Sequence, residues 1–199
     1  RIGDDVLYAD SCLDDGTRIN IILFPIARFG ISVTLRKFSK NISSIDDLIN
    51  LGTINRKAAD LLIACVKGKI NILFSGGTGV GKTTLLQALS NYFSPEERVV
   101  TIEDAAELKI MRDNLVSLET KTPDSNGKGE VSLRDLIRNA LRMTPDRIIM
   151  GEVRGPEAID TIQAMATGHS GTLGVVHGNS PRDVLSRMET MILMSGISL

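Results

Sequence analysis

The sequence predicts an α/β fold, with a mostly parallel sheet covered by helices and preceded by part of a smaller α+β domain. Three observations carry this. After residue 69, short apolar strands alternate with helices, which is the sequence form of a parallel sheet with crossover helices. A glycine-rich loop, residues 76–83, stands between the first of these strands and the first of these helices. Residues 1 to about 40 instead read as β-branched runs broken by turns.

In the N-terminal stretch, Asp15-Gly16 between the apolar Leu13 and Ile19 is a hairpin signal, because a tight turn needs positive φ, which Asp and Gly tolerate. Strand-like runs follow at Ile21 to Ile26 and Ile31 to Leu35, on either side of Gly30. From Ser44 the period changes. Ser44 to Asp47 is a capping-box pattern, and Asn55 to Lys67 reads as a helix with Ala58, Leu61, Leu62 and Cys65 on its apolar face and Gly68 ending it. The expected organisation is therefore strands over 1–40, a helical linker over 41–69 and the sheet domain over 70–199, with the boundary near residues 40 to 52.

Within the sheet domain the expected strands are Ile70 to Phe74, Val99 to Ile102, Arg147 to Met150, Thr172 to His177 and, more weakly patterned, Leu115 to Leu118. The expected helices are Lys82 to Phe93, Leu133 to Met143, Pro156 to Thr167 and Pro181 to Met194. Ser132 with Asp135, and Ser180 with Pro181 and Asp183, mark two helix starts. The polar run from Thr120 to Val131 is expected to be a mobile surface loop.

Composition removes several classes. The 199 residues carry 23 Lys+Arg against 24 Asp+Glu, a net charge of −1, with 42% hydrophobic residues, 6 Pro and 18 Gly. That balance fits a globular chain of one or two domains rather than a polybasic binder or an acidic disordered tail. Aromatics are 4% with no Trp, too few for a surface that stacks successive bases, so no direct nucleic-acid partner is expected. No apolar run approaches the ~18 residues of a bilayer span, and the N-terminal Arg-Ile-Gly-Asp-Asp lacks a signal-peptide core, which reads as cytosolic. Cys12 and Cys65 have no metal-type spacing and read as reduced small hydrophobes. A start without Met and a stop inside an apolar periodic stretch read as a segment of a longer chain.

Chemistry concentrates in a few blocks. Gly76-Gly77-Thr78-Gly79-Val80-Gly81-Lys82-Thr83 fits the phosphate-loop pattern in the strand-loop-helix setting that it requires. Its glycines let successive amides point at phosphates, Lys82 would reach the β- and γ-phosphates, and Thr83 would ligate Mg²⁺. Nucleotide contacts are assigned to Gly76, Gly77, Thr78, Gly79, Val80, Gly81, Lys82, Thr83 and Thr84. Hydrolysis also needs acids. Glu152 ends the strand Arg147-Ile-Ile-Met-Gly-Glu, and Glu103, Asp104 and Glu107 follow another strand, although each could also be a solvated acid at a strand end. His169 and His177 flank the last strand, where both could approach a nucleotide from one edge; a metal pair or ordinary polar packing are the alternatives.

In order, these blocks resemble the secretion ATPases of type II secretion, type IV pili and type IV secretion: the phosphate loop, an aspartate box at 101–107, a Walker B variant ending in Gly151-Glu152, and a histidine box from Gly168-His169 to His177. The stretches Thr101 to Leu108, Gly151 to Gly155 and Asn179 to Asp183 resemble the branch that serves tight-adherence pili, the CpaF family. The resemblance implies a RecA-like P-loop NTPase core and a homo-hexameric ATPase at the cytoplasmic face of the inner membrane, partnered by a membrane platform protein. Its motion would drive pilin or substrate export, with conjugative or effector secretion as the alternative, and a nucleotide-gated scaffold or DNA translocase further off. It also implies that Glu152 polarises water, that Glu103 acts near Mg²⁺, that His177 contacts the γ-phosphate side, and that Arg18 and Arg36 neutralise phosphate charge. Arg154 would serve an interface. Where relatives carry Thr two residues before the second histidine, this chain has Val175.

Overall fold

The computed structural model describes residues 7–13, 17–37, 42, 44–124 and 127–196. The chain divides between residues 41 and 42 into two compact units. The smaller holds β1 (Tyr8–Cys12), β2 (Arg18–Ile22) and β3 (Ser32–Arg36), an antiparallel meander in which Cys12 pairs with Arg18 and Arg18 with Arg36. The Asp15-Gly16 signal lies outside the described residues, but the flanks close as a hairpin, with the Leu13 amide donating to the Thr17 carbonyl at 2.9 Å. The run expected to Ile26 ends at Ile22: the chain turns at 24–26, with the Ala27 amide bonded back to Leu23, because Pro25 has no N–H for a ladder.

The larger unit begins with two helices, α1 (Ile45–Asn50) and α2 (Arg56–Lys67). Ser44 and Asp47 form the capping box reciprocally, and the Asn55 side chain caps α2 through the Ala58 amide. The inward face of α2 is shifted from the expected one. Ala59 and Val66 are buried with Leu62 and Ile63 packed beside them, whereas Leu61 is 65% exposed. Gly68 caps the helix at φ −79°, and the left-handed step falls one residue later, on Lys69 at φ 53°.

Five parallel strands follow in the order β4-β8-β7-β5-β6: β4 (Ile72–Gly76), β5 (Val99–Glu103), β6 (Leu115–Glu119), β7 (Arg147–Val153) and β8 (Leu173–His177). The crossover helices are α3 (Lys82–Ser90), α4 (Leu133–Ala140) and α5 (Glu157–Ala166), and α6 (Pro181–Leu193) follows β8. The strands are apolar on both faces because both are covered, and the two-residue period sorts their side chains. Val100, Ile102, Ile148, Met150 and Val176 pack with α4, α5 and α6, while Val99, Ile149, Leu173 and Val175 pack with α1, α2 and α3. Val175, 3% exposed, is thus an apolar core residue. The run 120–131 is pinned at its base, where Lys121 and Val131 exchange both backbone hydrogen bonds.

At the amino ends of the strands lies a buried ion pair. Arg147, 2% exposed, donates from Nε and Nη2 to the Glu97 carboxylate at 2.6 and 3.1 Å, and from Nη2 to the Val66 carbonyl at 2.8 Å. Its guanidinium also lies 4.4 Å from the centre of the Phe93 ring. This fork fastens the last turn of α2 to the first residue of β7. Among the described residues, no helix is long and apolar enough to cross a membrane.

Candidate active site

The carboxyl ends of the strands form the opposite pole, the side on which open α/β sheets bind ligands. Leaving β4, the backbone takes φ +154° at Gly76, where a Cβ would lie 2.8 Å from Val80 Cγ2, so the curl of the loop requires glycine there. Gly81, at φ +92°, is the N-cap of α3 and supplies no side chain, which leaves the first amides of that helix to an anion. Among the described contacts, none within the chain engages the amides of Gly77, Thr78, Gly79 and Val80. Lys82 folds across the loop and donates from Nζ to the Gly76 and Gly77 carbonyls at 3.0 and 2.6 Å. Thr83 and Thr84 stand half-buried in the first turn of α3.

β8 delivers the second group. Gly76 is the register partner of His177, so the imidazole stands beside the start of the loop, and its Nε2 is 3.2 Å from Glu152 Oε1. Glu152 sits where the β7 ladder shifts register between Met150 and Val153. Such an irregularity re-aims a side chain at the end of a strand. Sequence reading located Glu152 but not this shift, which depends on pairing between distant segments.

Glu103, 3% exposed, ends β5. Its Oε1 accepts from the amides of Glu107 and Leu108 at 2.9 and 3.1 Å, which fixes the carboxylate against the loop that follows the strand. It also lies against Gly151, where a Cβ would be 2.7 Å from Glu103 Cγ. The glycine before Glu152 is therefore what lets the two acidic strand ends meet.

The other expected residues fall elsewhere. His169 precedes the amino end of β8, and four strand steps of ~3.3 Å separate that end from His177. The two histidines therefore do not share an edge, and the pairing expected of them is corrected. Arg18 and Arg36 lie in the smaller unit, directly opposite each other on β2 and β3 and so on one face of that sheet. Arg154 pairs with Asp104, and a cleft of about 490 Å³ opens beside it, lined also by His177, Asn179 and Arg187. Among the described residues no group of three His, Cys, Asp or Glu could hold a metal.

A five-stranded parallel sheet with a phosphate loop at one strand end and acids at the same ends of two others defines a P-loop NTPase core of the RecA-like type. The chain belongs to the type II/IV secretion system protein family, whose model matches residues 12–197. It is 43% identical over 180 residues to a putative conjugal transfer protein of Mycobacterium tuberculosis, covering 90% of this chain and 51% of that one. Among solved structures it resembles the VirB11 ATPase of the Brucella suis type IV secretion system, solved with sulphate, at 30% identity and a TM-score of 0.61, covering 98% of this chain and 62% of that one. It also resembles the pilus retraction motor PilT with bound ADP, at 25% identity and a TM-score of 0.66, covering 92% and 51%. The chain spans about half the length of the curated conjugal transfer relatives that it matches.

Proposed function

We propose that the protein is the ATP-hydrolysing motor of a secretion, conjugation or pilus assembly machine. The observation that carries this reading is the convergence of four strand ends, which groups the Lys82 loop, His177, Glu152 and Glu103 at one pole of the sheet. In the proposed reaction the amides of Gly77 to Gly81 and the ammonium of Lys82 hold the phosphates, exchanging the loop carbonyls for a stronger anionic partner. Glu152 orients water for in-line attack on the γ-phosphorus and takes its proton. The bond from that phosphorus to the bridging oxygen breaks, and the electron pair leaves with ADP. His177, held to Glu152, reports the γ-phosphate side. Arg18 and Arg36, supplied by the smaller unit, neutralise charge that develops in the transition state, which would couple hydrolysis to domain closure.

The donor chemistry fits Mg²⁺, which takes one or two protein oxygens together with substrate phosphates and water rather than an all-protein cage. The Thr83 hydroxyl and, partly through water, the Glu103 carboxylate would hold it. When bound, it neutralises charge on the β- and γ-phosphates. In this reading residues 70–199 serve as the ATPase domain, 41–69 as a helical linker and 1–40 as part of the N-terminal domain. Following the family, the whole protein works as a homo-hexamer against an inner-membrane platform protein at the cytoplasmic face. Relatives named for conjugal transfer and type IV secretion favour substrate export, and the PilT likeness favours fibre assembly or retraction.

Two variants of the full-length protein test the chemistry. Glu152→Gln should lower ATP turnover by at least 100-fold with nucleotide affinity retained, whereas Lys82→Ala should lose affinity as well. Undiminished phosphate release from Glu152→Gln would sink the assignment.

A further inference from the structure

We propose that Asp104 and Arg154 form a positioning pair that sets the separation of Glu103 and Glu152. The inference rests on the roles given to those two acids above. Asp104 directly follows Glu103 at the end of β5, and Arg154 lies two residues after Glu152 at the end of β7. Up to Ile102 and Met150 the two strands are held in register by their ladder. Beyond that point β7 is irregular, and the ladder no longer fixes one strand end against the other. The ion pair between the Arg154 guanidinium and the Asp104 carboxylate crosses that gap.

Both ends of the bridge are anchored through the backbone. The amides of Arg154 and Gly155 donate to Glu157 Oε1 at 2.7 and 2.8 Å, and Glu157 is 5% exposed in the first turn of α5. A Cβ at Gly155 would lie 2.9 Å from Glu157 Oε2, so a larger residue there would press on that carboxylate. On the other side Thr120, just past β6, donates its hydroxyl to the Asp104 carbonyl and its amide to the Glu103 carbonyl, each at 3.0 Å. Arg154 and Asp104 are therefore the two ends of a strut between rigid supports, and a shift of either end moves an acid of the proposed site. Their side chains are 58% and 31% exposed, and an ion pair of that exposure adds little to global stability. The pair is better placed to hold geometry than to hold the fold.

The test uses the full-length protein. For Arg154→Ala, Asp104→Ala, the double variant, Arg154→Lys and the exchanged pair Asp104→Arg/Arg154→Asp, kcat, nucleotide affinity and thermal midpoint are measured. Each single alanine variant should lower kcat by about ten- to a hundredfold, since a misplacement of ~1 Å costs on the order of 100-fold. Affinity and midpoint should hold. The double variant should be no worse than either single one, and Arg154→Lys and the exchanged pair should each recover part of the loss. Unchanged kcat in both single variants, additive losses in the double variant, or midpoints falling in step with kcat would each overturn the positioning role. Glu152→Gln in the same assay separates the two readings. If it is inactive while Arg154→Ala keeps wild-type turnover, only the strut falls; if it turns over normally, the assignment of the acids falls and the strut with it.

Discussion

Gly151 shows how much one side chain, or its absence, decides at this site. A methyl group there would sit 2.7 Å from Glu103 Cγ, and Glu103 cannot easily retreat, because it is buried and its carboxylate is held by the Glu107 and Leu108 amides. Gly151→Ala should therefore cost about 1–3 kcal/mol, the usual penalty for overpacking a filled site. Turnover should fall as well, because either Glu103 or the β7 end must move; thermal unfolding and steady-state hydrolysis check the two effects. The place of Glu152 was legible in the sequence as an acid ending an apolar strand. The need for Gly151 was not, since the atom that excludes a side chain there belongs to a residue 48 positions away in the chain.

Local rules specified the elements well and their faces less well. Capping boxes at Ser44 and Ser132 and the Ser180 cap with Pro181 behind it mark helix starts that the structure places where the sequence does. The face of α2 was not settled in the same way, because Leu61 and Leu62 are equally apolar and only packing against α3 and the sheet chooses between them. Arg147 is the sharper case: a cation at the start of a strand reads as a surface residue, yet it is among the most deeply buried side chains. Removing its partner by Glu97→Gln leaves a buried guanidinium without a counter-charge and should destabilise by about 3–5 kcal/mol, measured by urea unfolding at neutral pH. For Glu97, burial pushes the carboxyl up, but the hydrogen bond and charge of Arg147, with the Lys69 charge, outweigh it and hold the carboxyl below its ordinary value. A depressed folded-state pKa contributes stability above the unfolded value of ~4.3 that is lost as pH falls through the folded one. The wild-type urea midpoint should accordingly drop below about pH 4, and Glu97→Gln should lack that component of the drop.

At the scale of the whole molecule, the phosphate loop and the acids lie in the unit 42–199, and the two arginines lie in the other. If both units act in one reaction, Arg18→Ala and Arg36→Ala in the full-length protein should each lower kcat by at least tenfold with nucleotide affinity nearly unchanged, because charge neutralised only in the transition state does not strengthen ground-state binding. Equal losses in affinity and kcat would instead place them in ground-state binding. By itself the sequence determined what depends on near neighbours: the alternation of strands and helices, the helix caps, and the glycine spacing that forms a phosphate loop. Only the tertiary structure decided that β8 lies between β4 and β7, which sets His177 beside both Gly76 and Glu152 and sends His169 to the opposite pole. Strand order is fixed by which apolar faces bury most surface together, a property summed over residues far apart in the chain, so no local pattern contains it.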